Sequence, residues 1–182
     1  MIGFESIGGM MEKFKGFLML IRLHNVIIAC IACFTGYVVS ARAIILSQHL
    51  YLSLLTVAMV SAGGYVINDY FDIDIDKVNK PYRPLPSGLF TPKFAYNLSM
   101  IFFIVGILSS IPLGPICLIL AILNSLLMYY YSKRIKSLGF PGNMVIAFSS
   151  FSSILFGGLA YCLLYTSDAA DELDGVDLGG RR

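Results

Sequence analysis

The chain has 182 residues, 57% of them hydrophobic and only 13% charged, with a formal net charge of +2 and a mean hydropathy of +0.78. A soluble domain carries roughly a quarter of its residues as charges, so an ordinary water-soluble globule is excluded, and the small net charge leaves no basis for a nucleic-acid partner. The apolar excess must face lipid, which makes this an all-α integral membrane protein.

In chain order, residues 1–16 read as a short cytoplasmic or interfacial lead-in. Glu5 and Glu12 stand where a cleaved signal peptide would be basic, and the apolar run after Phe17 is longer than a signal core. Five spanning helices are predicted, at about 17–40, 50–71, 94–111, 116–132 and 143–165, each near the roughly 20 residues that cross a bilayer core. Cys30 and Cys33 form a C-x-x-C inside the first; with no second pair and no His at ligand spacing, they read as packing side chains. The third and fourth spans are joined by Ile111-Pro112-Leu113-Gly114-Pro115, an uncharged turn whose Pro and Gly stop one helix and start the next. There is no clear internal repeat.

Loop charges set the orientation. Lys13, Lys15 and Arg22 precede or open the first span, Lys77, Lys80, Arg83 and Lys93 lie between the second and third, and Lys133, Arg134 and Lys136 lie between the fourth and fifth. These ten face Arg42 alone in the opposite loops. The positive-inside rule then places the first set, and all the polar chemistry beside it, in the cytoplasm.

That chemistry centres on Asn68-Asp69-Tyr70-Phe71-Asp72-Ile73-Asp74-Ile75-Asp76, at the end of the second span. Asn68, Asp72 and Asp76 recur at i, i+4 and i+8, and Asp69 is three before Asp72, so these four share one helical stripe. Oxygen-bearing groups so clustered repel unless a cation sits among them. Magnesium, bound through one or two carboxylates with phosphate oxygens and water, suits such an open stripe. Asp74 points elsewhere. Asp72-x-Asp74-x-Asp76 starts like a calcium loop but fails at its sixth and twelfth positions, Lys77 and Arg83, where Gly and Glu are needed. A solvated acidic loop paired with its own lysines would explain the charges but not the register with Asn68.

The next segment, Asn79-Lys80-Pro81-Tyr82-Arg83-Pro84-Leu85-Pro86-Ser87-Gly88, is stiffened by three prolines. It is expected to hold Lys80 and Arg83 over the acidic stripe, the planar fork of Arg suiting a phosphate.

Together, Asn68-Asp69-x-x-Asp72-x-x-x-Asp76 and Arg83-Pro84-Leu85-Pro86-Ser87-Gly88 resemble the first signature of the UbiA superfamily of intramembrane prenyltransferases. The likeness extends more loosely from Phe17 to about Ala160. Within the superfamily the pattern is most similar to archaeal digeranylgeranylglyceryl phosphate synthases, which attach a second geranylgeranyl chain to an ether-lipid precursor. The resemblance implies about five helices of a nine-helix bundle, Mg2+ as cofactor, a prenyl diphosphate donor and a lipid acceptor, geranylgeranylglyceryl phosphate. It implies metal ligation by Asn68, Asp69, Asp72 and Asp76, with Asp69, Asp72, Tyr131 and Lys136 catalytic. It also implies diphosphate contacts from Arg22, Asn25, Lys80, Arg83 and Ser132, and substrate contacts from Tyr131 and Lys136. Gly142-Asn143 matches a Gly-Asn pair common in the family. His24 reads as interfacial, and at least one of Tyr129, Tyr130 and Tyr131 as an aromatic-belt residue.

The superfamily's second Asp-rich motif has no counterpart: after Asp76 the next acid is Asp168. Residues 166–182 hold five of the eleven acids without apolar periodicity. They read either as a solvated tail or as non-native sequence following an interrupted bundle. The latter is preferred, with 17–165 as the N-terminal part of the transferase domain and the chain itself an inactive fragment. The competing readings are prenyl transfer to an aromatic or tetrapyrrole acceptor, and an ion-linked transporter. Transporter sites tend to lie near the bilayer midplane, whereas these acids sit at a helix end in what is read as a multi-pass plasma-membrane protein.

Overall fold

A computed structural model describes the backbone of residues 2–176 and the side chains of residues 9–163. Among these the structure is all-helical: α1 (Ile2–Leu20), α2 (Leu23–Ala41), α3 (Gln48–Phe71), α4 (Ile73–Asn79), α5 (Pro92–Ser110), α6 (Pro115–Lys133) and α7 (Phe140–Val176). Short 3-10 turns, Ile111–Leu113 and Ile135–Leu138, join α5 to α6 and α6 to α7. Five helical segments, α2, α3, Pro92–Leu113, α6 and Phe140–Leu163, are long and apolar enough to cross a membrane.

The order of spans follows the expectation, but three boundaries differ. The predicted span 17–40 is two helices, broken at Arg22, whose backbone is left-handed (φ 50°, ψ 56°). That conformation costs an L-residue about 1 kcal/mol, and nothing in the sequence marks it, since neither Gly nor Pro stands there. The acidic stretch continues after α3 as α4. Asp72 forms the joint, yet the amides of Asp72 and Asp76 still donate to the carbonyls of Asn68 and Asp72 at 3.0 and 2.8 Å. The helical register of Asn68, Asp72 and Asp76 therefore passes through the joint. Finally, α7 begins at Phe140 and its backbone runs beyond Tyr165 to Val176. Residues 177–182 of the acidic segment, and all side chains of 166–182, lie outside the described residues.

Helix α3 is the hub. It packs on α2, α5, α6 and α7, and 56% of its span is buried within the chain, against 22–33% for the other four. Apolar association has little driving force between helices in lipid, so close packing and interhelical hydrogen bonds must hold them. Thr56 on α3 and Ser109 on α5 share a 2.8 Å hydrogen bond, and the Ser99 hydroxyl donates to the Gly63 carbonyl at 3.1 Å. The α2–α7 crossing is tighter still. A Cβ at Gly36 would stand 2.0 Å from the Ile154 carbonyl oxygen, and one at Gly157 would stand 1.9 Å from that of Cys33. Only glycine lets these two backbones meet. Outward faces carry exposed Ile27, Ile31, Ile104, Leu108, Ile119 and Phe151, as a lipid solvent requires.

Candidate functional site

Five pieces of chain converge at one end of the bundle: the α1–α2 joint, the end of α3, α4, the loop from Lys80 to Phe90, and the turn Ile135–Leu138. The loop is stiff. The amide of Arg83 donates to the Lys80 carbonyl (3.1 Å) and that of Ser87 to the Arg83 carbonyl (2.9 Å), and Gly88 turns the chain at φ 80°. Leu85 is buried beside Leu20, Val66 and Ala95, which pins the loop to α1, α3 and α5. Thr91 then accepts from the Phe94 amide at 3.2 Å and Pro92 opens α5, an ordinary helix start. This framework aims Arg83 inward.

Arg83 Nη1 donates to Asp76 Oδ2 at 2.5 Å and to Asp69 Oδ1 at 3.2 Å. Arg22 Nη2 donates to the same Asp69 oxygen at 2.6 Å, which the left-handed turn at Arg22 makes possible. Asp72 Oδ2 accepts from Asn68 Nδ2 at 2.9 Å and from Lys136 Nζ. The Arg22 guanidinium lies over the Tyr65 ring, 5.4 Å from its centroid. Phe71 on α3 meets Tyr129 on α6 edge-on at 5.7 Å, bracing the two helix ends. Asp69, Asp72 and Asp76 are all buried. Buried carboxylates demand such partners.

These groups surround a cavity of about 390 Å³. Arg22, Asn68, Asp72, Asp76, Lys80, Arg83, Tyr131 and Lys136, all singled out in the sequence, line it. Asp69 does not line it; its side chain is 5% exposed and turned to the two arginines. Asn25 lines a neighbouring cavity instead, and Ser132 is buried with its hydroxyl donating to the Met128 carbonyl at 2.9 Å. Asp74 points out, 87% exposed, pairing with Lys77. Among the described residues, three acidic, Cys or His side chains nowhere come close enough to cage a metal. The donor set on the cavity wall, Asn68, Asp72 and Asp76, is all oxygen. It fits a hard cation held by one or two carboxylates and completed by phosphate oxygens and water. With Asp69 included, four cationic side chains face three carboxylates, so the site carries an excess of positive charge for an anion.

A second cavity, about 230 Å³, adjoins the first deeper in the bundle, with Tyr65, Met128 and Ile146 lining both. Its polar wall includes Ser149, Ser150, Ser152 and Ser153 of α7. Sequence reasoning missed these serines and Tyr65. The signal was there: four hydroxyls within five residues of a membrane span.

Residues 29–170 match the family model described as the UbiA prenyltransferase family. The chain belongs to that family. It is 46% identical over 147 residues to the digeranylgeranylglyceryl phosphate synthase of Sulfurisphaera tokodaii, covering 81% of this chain and 53% of that protein. It is 43% identical to the enzyme of that name from Saccharolobus solfataricus, covering 81% and 52%. The chain thus spans about half the length of the curated relatives it matches. A solved structure concerned with digeranylgeranylglyceryl phosphate synthase in membranes superposes with a TM-score of 0.79 at 42% identity, covering 82% of this chain and 53% of that one. A UbiA homolog from Archaeoglobus fulgidus, bound to DMAPP and Mg2+, superposes at 0.67 over 80% of this chain and 54% of its own, with 21% identity, a likeness of fold.

Proposed function

We propose that this UbiA chain contributes the metal- and diphosphate-binding wall for magnesium-dependent transfer of a geranylgeranyl group from its diphosphate to a lipid acceptor, geranylgeranylglyceryl phosphate, in ether-lipid synthesis. The observation that carries this reading is the 390 Å³ cavity at the end of α3, with Asn68, Asp72 and Asp76 on one wall and Arg22, Lys80, Arg83 and Lys136 around it. The names and bound ligands of the relatives support the choice of donor, cofactor and acceptor. In this reading residues 17–165 belong to the transferase domain, 1–16 are a lead-in at the membrane surface and 166–182 an acidic tail. The site faces the cytoplasm of a plasma-membrane protein, a placement supported by the basic loops on that side.

Asn68, Asp72 and Asp76 would hold the metal, which when bound supplies charge neutralisation of the diphosphate. Arg22, Lys80, Arg83 and Lys136 stabilise the negative charge that collects on the leaving group. Ion pairs that now satisfy Arg83 and Lys136 are exchanged for phosphate oxygens. Asp69, buried between Arg22 and Arg83, keeps both forks aimed at the cavity. The Tyr131 ring on the cavity wall presents its face to the allylic cation. The acceptor hydroxyl oxygen bonds to C1 of the prenyl chain as the C1–O bond breaks. The bonding pair leaves with the diphosphate, which takes up the hydroxyl proton.

The test is thermal unfolding of the detergent-solubilised chain with a non-cleavable geranylgeranyl thiolodiphosphate. Stabilisation is expected only when Mg2+ and the analogue are both present. Equal stabilisation by simple monovalent salts would overturn the reading in favour of an ion site.

A further inference from the structure

Two serines on the wall of the cavity between α2, α3, α6 and α7 carry hydroxyls with nothing to bond. Ser149 Oγ and Ser152 Oγ are buried without a hydrogen-bond partner among the described residues, and Ser152 is only 3% exposed. Helix geometry does not force this. Their neighbours Ser150 and Ser153 donate back to the carbonyls of Ile146 and Ser149, at 3.0 and 3.3 Å. A serine in a membrane helix ordinarily does the same. Two that forgo the bond in one cavity lose stability with no return inside the protein.

We propose that Ser149 and Ser152 form the hydrogen-bonding wall of an acceptor subsite, which takes the glycerol oxygens of an ether lipid. The inference rests on the prenyl-transfer reading above. A prenyl tail is pure hydrocarbon and leaves both hydroxyls unsatisfied. A glycerol ether offers a free hydroxyl that donates and accepts and an ether oxygen that accepts, matching two Ser hydroxyls. Ala29, Val57, Leu120 and Phe156 give the same wall an apolar part that covers the start of the lipid chain. The cavity adjoins the diphosphate site through Tyr65, Met128 and Ile146, so a hydroxyl held here lies beside the donor.

The experiment compares the solubilised full chain with the S149A/S152A double variant. The probes are 1-O-hexadecyl-glycerol-3-phosphate, its 2-O-methyl derivative, and the geranylgeranyl thiolodiphosphate with Mg2+. Removing the two unpaired hydroxyls is expected to raise the unfolding temperature of the ligand-free protein. It is expected to weaken the alkylglycerol phosphate about tenfold, the loss of roughly two hydrogen bonds, and to leave the thiolodiphosphate affinity within about twofold. The methyl-capped lipid should bind the wild-type chain more weakly than the free alcohol; equal binding points to a general phospholipid site and overturns the acceptor assignment. Unchanged alkylglycerol affinity in the variant overturns it too. So does a fall in unfolding temperature with loss of both ligands, which is the mark of a structural role. Wild-type protein that binds the diphosphate but no alkylglycerol overturns the subsite alone. Binding of the alkylglycerol without the diphosphate overturns the transfer reading and leaves a glycerolipid site.

Discussion

The two cavities of this bundle solve the burial of polar groups in opposite ways. In the upper one every buried carboxylate is matched: Asp69 by Arg22 and Arg83, Asp76 by Arg83, Asp72 by Asn68 and Lys136. In the lower one the hydroxyls of Ser149 and Ser152 have no partner among the described residues. The difference follows from magnitude. An unpaired charge in a low-dielectric interior is prohibitive, so the protein itself supplies a partner for each of these carboxylates. An unpaired hydroxyl costs only about 1–3 kcal/mol, which a fold can carry as the condition of having a site.

The largest effect should come from breaking the upper pairing at the cavity wall. Asp72→Ala removes a metal donor and leaves Lys136 uncompensated; affinity for the thiolodiphosphate with Mg2+ is expected to fall on the order of 100-fold by titration. Unaltered affinity would sink the assignment of α3 and α4 as the metal wall. Asp69→Asn should act differently, because Asp69 holds the arginines and does not line the cavity. We expect about tenfold weaker diphosphate binding and a loss of about 2 kcal/mol in stability by denaturant unfolding, with the Mg2+ midpoint unmoved. A shifted midpoint would make Asp69 a metal ligand after all. Arg83→Lys keeps the charge but loses the fork that bridges Asp69 and Asp76, so a fewfold weakening in the same titration is expected. At the bottom of the scale, Asp74→Ala and Cys30→Ala should leave both binding and unfolding temperature as they were. Asp74 makes only an exposed pair, and Cys30 lies on α2 away from the ionic groups.

Much of this was legible beforehand. The spans followed from apolar runs of membrane length, because lipid permits few other solutions. The shared face of Asn68, Asp72 and Asp76 followed from spacing alone and survived the joint at Asp72, since the four-residue hydrogen bonds cross it. Arg83 was found through the proline-stiffened loop. The break at Arg22 was not legible, because a left-handed arginine is sustained by its tertiary partner and not by local preference. Nor was the turning of Asp69 away from the cavity: four residues on one stripe look alike until cations on other segments compete for them. The serines of α7 were passed over for a related reason. Hydroxyls in a membrane helix are usually satisfied by their own backbone, and only the packed structure distinguishes the ones that are not.

The seam between α2 and α7 bears on the acceptor subsite proposed above. With the Gly36 and Gly157 backbones lodged against the carbonyls of Ile154 and Cys33, these two walls meet at backbone distance. In that proposed subsite, any adjustment of width then falls to α3, α6 and side-chain rotation, while the spacing of the α2–α7 wall is set by backbone contact.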